Sequence, residues 1–358
     1  MKRMCCLWLN ILLLGFGTGC APDISETEGR FAGYYVSGSR LPLTEEAVAG
    51  LTHLHLAFLM PKQDGSLQST ELFELHCRQA SQIKEDHKRL KVLISIGGWG
   101  NSDGFADITQ NEEALENFLN AVRDWLRKFD LDGIDLDWEY PDSTQKEAFW
   151  NLILELRDCL DREEVNTGKR YLLSVAAPAF SAFPQERLEG YQEDFSKVDY
   201  WNLMTYDYHI GQEGANAPLY APRSECVART VETYEKTGIT KKALNLGIPL
   251  YGRGWDAEKG WIQASYDEIL REYKDFTYTY NPITHTPYLT QRENWISYED
   301  VRSVQAKSRY AREEGLGGLM FWELSDDLKQ TLRKTARSVW EETESVEQPK
   351  REFYRLMI

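Results

Sequence analysis

Short apolar runs alternate with segments of helical periodicity, and this alternation is the dominant pattern of the chain. Several runs are almost continuously apolar, as expected for parallel strands that are buried on both faces. Eight runs are predicted strands: Phe31–Val36, His53–Leu59, Lys91–Gly97, Leu131–Glu139, Tyr171–Ala177, Asp199–Tyr206, Ala243–Pro249 and Leu316–Trp322.

The segments between these runs repeat apolar residues at steps of three and four, which is one face of a helix. Asn111–Phe129 is an example, with Asn111 as a candidate N-cap. Glu71–Arg89, Gln145–Leu160 and Tyr298–Glu314 follow the same pattern. Eight alternations predict an α/β fold of the (β/α)8 TIM-barrel type, whose active site lies at the carboxyl ends of the strands. The alternative is an open doubly wound sheet, but no glycine-rich phosphate turn follows an early strand.

One connection is much longer than barrel loops usually are. It runs from about 250 to 297, between the seventh strand and its helix, and we interpret it as a small inserted subdomain rich in aromatic residues. Phe276, Tyr278 and Tyr280 alternate, so their rings share one face if this segment is a strand. We expect the insertion to form a wall that deepens a cleft over the barrel mouth. A self-packed mini-core is the alternative.

The N-terminus has the features of a targeting segment. Lys2 and Arg3 precede the apolar run Cys5–Phe16, which is shorter than the roughly 20 residues of a membrane-spanning helix and is typical of a secretory signal. The run leads into G-T-G-C, which resembles a bacterial lipobox ending at Cys20. Residues 1–20 are therefore predicted to be a signal peptide with a lipidation site at Cys20, which would anchor an exported protein to a membrane. With ordinary cleavage near Gly19 the protein would be secreted.

The predicted organisation continues with a linker at 21–30, a catalytic barrel at 31–340 and a charged tail at 341–358. Aromatic residues make up 12% of the chain, with 11 Trp and 19 Tyr. These rings fit either a large core or a groove in which flat faces stack on sugars. The net charge of −16 opposes nucleic-acid binding and is compatible with a neutral polysaccharide.

Cysteine usage and short motifs give no sign of a metal site or a cofactor. Past Cys20 only Cys77, Cys159 and Cys226 remain, so at most one disulfide could form among them, and we expect small buried residues. Neither C-x-x-C nor H-E-x-x-H is present. We expect a monomer.

The strongest candidate for catalysis is the segment D-G-I-D-L-D-W-E-Y-P that begins at Asp132. On a strand, Asp135, Asp137 and Glu139 share one face, each about 6.6 Å from the next. Like charges at this spacing raise at least one pKa, and general acid catalysis needs a carboxyl that keeps its proton. A calcium-binding strand or a solvated edge is the alternative, which the intervening apolar residues disfavour. Asp132 breaks the alternation and is expected to support the start of the strand.

These four acids match the signature Asp-x-x-Asp-x-Asp-x-Glu of glycoside hydrolase family 18, which the chain resembles from residue 31 to about 327. Lys91–Trp99, Met204–Asp207, Tyr251–Arg253 and Gly317–Glu323 are similar to further strand motifs of the family. The resemblance implies an endo-acting chitinase that hydrolyses β-1,4-linked N-acetylglucosamine polymers or oligomers with retention of configuration. In this family the 2-acetamido oxygen of the sugar attacks the anomeric carbon and forms an oxazolinium intermediate.

The resemblance also implies roles for individual residues. Glu139 would be the general acid and base, Asp137 would hold the acetamido N–H and offset developing positive charge, Asp135 would tune Asp137, and Tyr206 would donate to the acetamido group. The residues expected to bind substrate are Trp322 as the floor, Trp99 as a stacking ring, Tyr34, Phe58 and Met204 as pocket lining, Asp207 and Arg253 as ligands of sugar hydroxyls, and Tyr251 as a wall.

Two other functions fit the same fold. One is an endo-β-N-acetylglucosaminidase acting on N-glycans. The other is a non-catalytic protein that binds chitin oligosaccharides, although such relatives typically lack the glutamate of the signature and Glu139 is present.

Overall fold

The computed structural model describes residues 29–342. The predictions for the signal peptide at 1–20, including lipidation of Cys20, lie outside the described residues. So does most of the linker at 21–30 and of the tail at 341–358. Arg30, predicted as the last linker residue, is already the first residue of a strand.

The strands and helices alternate along the described chain. The strands are β1 Arg30–Val36, β2 His53–Pro61, β3 Leu67–Gln68, β4 Lys91–Gly97, β5 Gly133–Asp137, β6 Leu172–Pro178, β7 Tyr200–Met204, β8 Leu244–Pro249, β9 Tyr251–Asp256, β10 Gly260–Ser265, β11 Thr277–Asn281, β12 Thr286–Gln291, β13 Asn294–Ser297 and β14 Gly318–Trp322. The helices are α1 Glu45–Val48, α2 Glu71–Asp86, α3 Gly104–Ile108, α4 Glu112–Lys128, α5 Lys146–Thr167, α6 Val227–Thr237, α7 Tyr266–Glu272, α8 Val301–Glu313 and α9 Thr331–Glu341.

Within residues 29–342, eight parallel strands close into a barrel. Neighbouring strands follow the order β1, β2, β4, β5, β6, β7, β8 and β14, and β14 pairs with β1 to close the ring. The predicted (β/α)8 barrel is therefore confirmed. All eight strands end at the same rim, where the loops that follow them meet.

The opposite end of the barrel is held by charge pairs and backbone hydrogen bonds. Asp132 accepts a hydrogen bond from the backbone N–H of Val92 at 2.8 Å. Its carboxylate also lies 3.2 Å from the ammonium groups of Lys84 and Lys169. The expectation that Asp132 supports the start of the strand agrees with these contacts, because they tie β5 to β4 below the acidic row.

The predicted insertion between the seventh barrel strand and its helix is confirmed. In the described chain it forms an antiparallel sheet in the order β10, β9, β13, β12, β11, with α7 after β10. Tyr278 donates a hydrogen bond to Asp300 at 2.9 Å, and the guanidinium of Arg302 lies 3.7 Å from the centre of the Tyr280 ring. This part of the aromatic-rich segment therefore packs against the start of α8.

The cysteines and the helix lengths can also be compared with the sequence predictions. Cys77, Cys159 and Cys226 are buried and free, as expected of small core residues. No helix among the described residues is both long enough and apolar enough to cross a bilayer.

Candidate active site

The acidic row lies at the rim of the barrel, but it is not one continuous strand. β5 ends at Asp137 and Glu139 lies two residues beyond it, whereas the sequence predicted a strand through Glu139. The carbonyl of Asp137 accepts hydrogen bonds from the backbone N–H of Gly98 at 2.8 Å and from Ser102 Oγ at 3.1 Å. The loop after β4 thus binds the end of β5, and the chain turns out of the sheet there.

Asp135 is completely buried and its carboxylate is well supplied with donors. Tyr34 Oη donates to Oδ2 at 2.8 Å, Ser95 Oγ donates to Oδ2 at 2.7 Å, and Ser174 Oγ donates to Oδ1 at 2.5 Å. Hydrogen bonds of this kind stabilise a buried charge.

Asp137 is in the opposite situation. It is 2% exposed, and its Oδ1 is buried without a hydrogen-bond partner among the described residues. Burial, with added repulsion from Glu139 and Asp135, raises the pKa of Asp137 well above its ordinary value. The carboxyl therefore retains an unused acceptor and favours its protonated form.

Glu139 lies at the rim and is partly accessible to solvent. Burial raises the pKa of its carboxyl, and the negative charge of Asp207 adds to the effect, while hydrogen bonds from the Tyr140 side chain and the Trp99 backbone oppose it. The net upward shift means that Glu139 keeps its proton to a higher pH than an ordinary glutamate, which is the property that a general acid needs.

The loop after β4 brings backbone and aromatic groups close together. Gly98 has a φ of +90°, and a Cβ there would lie 2.7 Å from the Phe58 ring, so a side chain is excluded on both counts. The next residue, Trp99, is 76% exposed and its ring centre is 6.3 Å from that of Tyr140. Trp99 is therefore an open apolar face beside Glu139.

A second apolar cluster, separate from the main core, occupies the barrel mouth, and we call it the mouth cluster. Trp322 is a partly buried member, and its ring centre is 5.5 Å from that of Tyr34 and 5.7 Å from that of Phe58. Its members are Ala32, Tyr34, Val36, Ala57, Phe58, Met204, Tyr206, Ala217, Tyr251, Met320 and Trp322. Six residues that the sequence marked as site residues are thus brought together here.

Asp207, Tyr251 and Arg253 form one bonded group beside the mouth cluster. Arg253 pairs with Asp207 through both Nε and Nη2, with Nη2 2.7 Å from Oδ2, and Tyr251 Oη donates to Asp207 Oδ1 at 2.6 Å. The ring centre of Tyr206 is 6.1 Å from that of Tyr251. Burial raises the pKa of Tyr206 well above its usual range, so its hydroxyl remains a proton donor. Asp207 and Arg253, which were expected to bind sugar hydroxyls, are thus hydrogen-bonded to each other in this structure.

Sequence reasoning did not identify two serines that support the acids. Ser174 stands in register with Asp135, which in turn is in register with Ser95, so strand parity could have found it. Ser102 accepts the backbone N–H of Glu139 at 3.0 Å while donating to the carbonyl of Asp137. Ser102 lies in a loop, where no periodicity indicates which way a side chain points.

Known proteins are similar to this chain in sequence and in fold. The family model for glycosyl hydrolases family 18 matches residues 30–327. Chitinase A1 of Niallia circulans is 32% identical over 73% of this chain, and the match spans 44% of that protein's own length.

Solved structures agree with the sequence match. A glycoside hydrolase family 18 N-acetylglucosaminidase from Paenibacillus barengoltzii superposes with a TM-score of 0.80 at 26% identity, over 87% of this chain and 99% of that one. The chitinase of Cycas revoluta in complex with (GlcNAc)3 gives 0.79 at 27% identity, with the same coverage of both chains. Because the family model extends from β1 to just past β14, this chain belongs to the glycosyl hydrolases of family 18.

Proposed function

We propose that this glycoside hydrolase is an endo-acting chitinase that cleaves β-1,4-linked N-acetylglucosamine polymers or oligomers with retention of configuration. The observation that carries the proposal is the contrast within the acidic row. Asp135 has three donors, Asp137 keeps an unused buried oxygen, and Glu139 lies at the rim, where burial raises its pKa. The relative from Cycas revoluta that was solved with (GlcNAc)3 supports the substrate class.

In the proposed first step, Glu139 gives its proton to the oxygen of the scissile bond. The acetamido oxygen of the same sugar forms a bond to the anomeric carbon as the leaving oxygen departs. Asp137 Oδ1 accepts the acetamido N–H, because this oxygen has no other partner in the described chain. As positive charge spreads over the new ring, Asp137 passes its proton to Asp135 behind it and offsets that charge as a carboxylate.

In the second step, Glu139 removes a proton from water, and the water oxygen displaces the acetamido oxygen from the anomeric carbon. Tyr206 would donate to the acetamido group in both steps, since its raised pKa keeps the hydroxyl protonated. Trp322 would bind the reacting sugar on the face of its indole ring. The rings of Tyr34 and Phe58 pack against this indole ring and hold it in place. Trp99 would stack on the sugar beyond the scissile bond.

Product analysis on chitotetraose and chitopentaose tests the proposal. We expect chitobiose as the main product, with β-anomers appearing first because configuration is retained. Faster release of glycans from a high-mannose glycoprotein than of products from chitin oligomers would favour the first alternative, an endo-β-N-acetylglucosaminidase acting on N-glycans. Binding of oligomers without any cleavage would favour the non-catalytic protein.

Glu139→Gln tests the role of the acid directly. The amide cannot donate an acidic proton, so we expect turnover to be lost while the affinity for chitin oligomers remains. Glu323→Gln is the matched control, because burial also raises the pKa of Glu323. Its carboxylate accepts a hydrogen bond from the backbone N–H of Ser325, so we assign it no part in proton transfer to the substrate. Normal turnover by the Glu139 variant, or equal losses in both variants, would contradict the assignment.

A further inference from the structure

Three tryptophans form a row across the inserted sheet. Trp255 on β9 is in register with Trp261 on β10 and with Trp295 on β13. The ring centres are 5.3 Å apart for Trp255 and Trp261 and 6.1 Å apart for Trp261 and Trp295, with planes nearly perpendicular. Trp261 is 48% exposed, so the tryptophan row is not closed into a core.

A cavity of about 170 Å³ lies beside the tryptophan row. Aromatic and apolar side chains form much of its wall, and Arg253, Asn216 and His209 contribute polar groups. The residues that line it are His209, Ile210, Gly211, Gly214, Asn216, Arg253, Trp261, Ile262 and Trp295. An aromatic wall with a few converging polar groups is the usual composition of a small-molecule site.

Asn216 supplies an independent sign that the cavity receives a ligand. It is 3% exposed, its Oδ1 accepts the backbone N–H of Asp207 at 3.3 Å, and its Nδ2 is buried with no partner in the part of the chain that the structure describes. A buried amide without an acceptor is costly and is rarely left so without a function. Burial lowers the pKa of His209, which therefore lines the cavity as a neutral ring.

One strand connects this cavity to the mouth cluster. Tyr251, Arg253 and Trp255 alternate along β9 and therefore share a face. Tyr251 belongs to the mouth cluster, Arg253 lines the cavity, and Trp255 belongs to the tryptophan row. At roughly 3.3 Å per residue, Trp255 is about 13 Å along the strand from Tyr251, further than a single sugar ring extends.

We propose that the tryptophan row and its cavity are an accessory sugar-binding position, which holds an N-acetylglucosamine unit of the substrate away from the scissile bond. The exposed face of Trp261 matches the apolar face of a pyranose. Asn216 Nδ2 and the guanidinium of Arg253 donate hydrogen bonds to its hydroxyl or acetamido oxygens. The inference rests on the proposed function, because the bound sugar is part of the chain that is cut.

Kinetics on substrates of different length test this position. In Trp261→Ala we expect kcat/KM for chitopentaose to fall roughly tenfold, mainly through KM, while a chromogenic chitobioside is cleaved at the wild-type rate. Trp261→Phe keeps an aromatic face and should recover most of the loss. Leu270→Ala is the control, since Leu270 is 51% exposed on α7 and does not line the cavity.

Binding measured by calorimetry in a Glu139→Gln background separates affinity from chemistry. Trp261→Ala should weaken chitopentaose binding by a similar factor and leave chitobiose binding unchanged. Equal affinities with and without Trp261 would overturn the inference, and so would equal losses on long and short substrates. Absence of cleavage by the wild-type protein would instead overturn the proposed function, so the two failures are distinguishable.

Discussion

Two aspartates two residues apart on β5 have opposite surroundings, and the difference suggests separate tasks. Asp135 receives hydrogen bonds from Tyr34, Ser95 and Ser174, so both of its carboxylate oxygens have partners. Asp137 has a buried oxygen without a partner among the described residues. Leaving a buried acceptor unpaired costs roughly 1–3 kcal/mol. The protein therefore carries a local loss of stability at the position that we assign to the acetamido group.

Asp137→Asn should change the stability of the protein by an amount that depends on pH. The folded-state pKa of Asp137 lies well above its ordinary value of 3.8. As pH rises past about 4, the unfolded chain releases this proton while the folded protein keeps it, so the wild type loses stability until the raised pKa is passed. Asparagine does not titrate, so the melting temperature of the variant relative to that of the wild type should rise from acid to neutral pH.

Thermal unfolding between acid and neutral pH, followed by circular dichroism, measures this margin. Asp158→Asn is the control, because Asp158 is exposed on α5. A difference between wild type and Asp137→Asn that stays constant with pH would show that the carboxyl does not keep its proton on folding.

The sequence predicts residues of the site where a strand imposes an alternating pattern. Asp135 and Asp137 follow the pleat of β5, and their position on one face could be inferred from spacing. The bonding of Arg253 to Asp207 could not, because it joins residues far apart in sequence through the meeting of β9 with the loop after β7. Ser102 was missed for the same reason, since its direction depends on a loop.

Helices and strands are predictable when their ends carry local signals. β4 has the predicted bounds, and α4 begins after Asn111, whose side chain accepts the N–H of Ala114 at 3.1 Å. α5 continues beyond its predicted end at Leu160 to Thr167. The reason is tertiary, because the last turns bury Glu163 against Arg127, with both contacts at 2.6 Å. A buried glutamate looks like a polar surface position in the sequence.

The loop after β4 permits a test with two neighbouring glycines. Gly98 and Gly100 both have positive φ, at +90° and +74°, so alanine strains the backbone by roughly 1 kcal/mol at either position. Only at Gly98 would the new Cβ meet a neighbour, the Phe58 ring at 2.7 Å, whereas nothing lies within 4 Å at Gly100. We therefore expect Gly98→Ala to lose most of the proposed chitinase activity and Gly100→Ala to keep most of it.

Measurements of kcat/KM and of the melting temperature for both variants distinguish backbone strain from displacement of the Phe58 ring. Displacement of Phe58 would disturb Trp322, since their ring centres are 5.7 Å apart. Equal losses of activity in the two variants would mean that backbone strain, and not the packing of the mouth cluster, limits this loop.

At the scale of the whole molecule, the two ends of the barrel have different roles. At one end of the barrel, Asp132 forms ion pairs with Lys84 and Lys169. The acidic row and the mouth cluster lie at the opposite end, the rim. This division could be predicted once eight strands were recognised, because parallel strands place all their carboxyl ends together. The shape of the insertion could not be predicted, since its sheet depends on the pairing of β9 with β13, which joins the β9–β10 hairpin to the strands β11 to β13.

We propose that the protein is exported and anchored through lipid on Cys20. After expression in a bacterium, the wild type should sediment with membranes and be released by detergent, because two or more acyl chains hold a protein firmly. Cys20→Ser should appear in the soluble fraction with unchanged specific activity. Mass spectrometry of the mature N-terminus identifies the modification. A soluble wild-type protein cleaved near Gly19 would show secretion without an anchor.

Only Leu250 separates β8 of the barrel from β9 of the inserted sheet. Its N–H donates to the carbonyl of Trp322 at 2.7 Å, and its carbonyl accepts the N–H of Tyr266 at 2.9 Å. A hinge needs residues whose backbone dihedrals are free to change, and this junction offers none. We therefore expect no jaw-like closure during turnover. The inserted sheet should therefore keep the same position relative to the barrel with and without bound substrate.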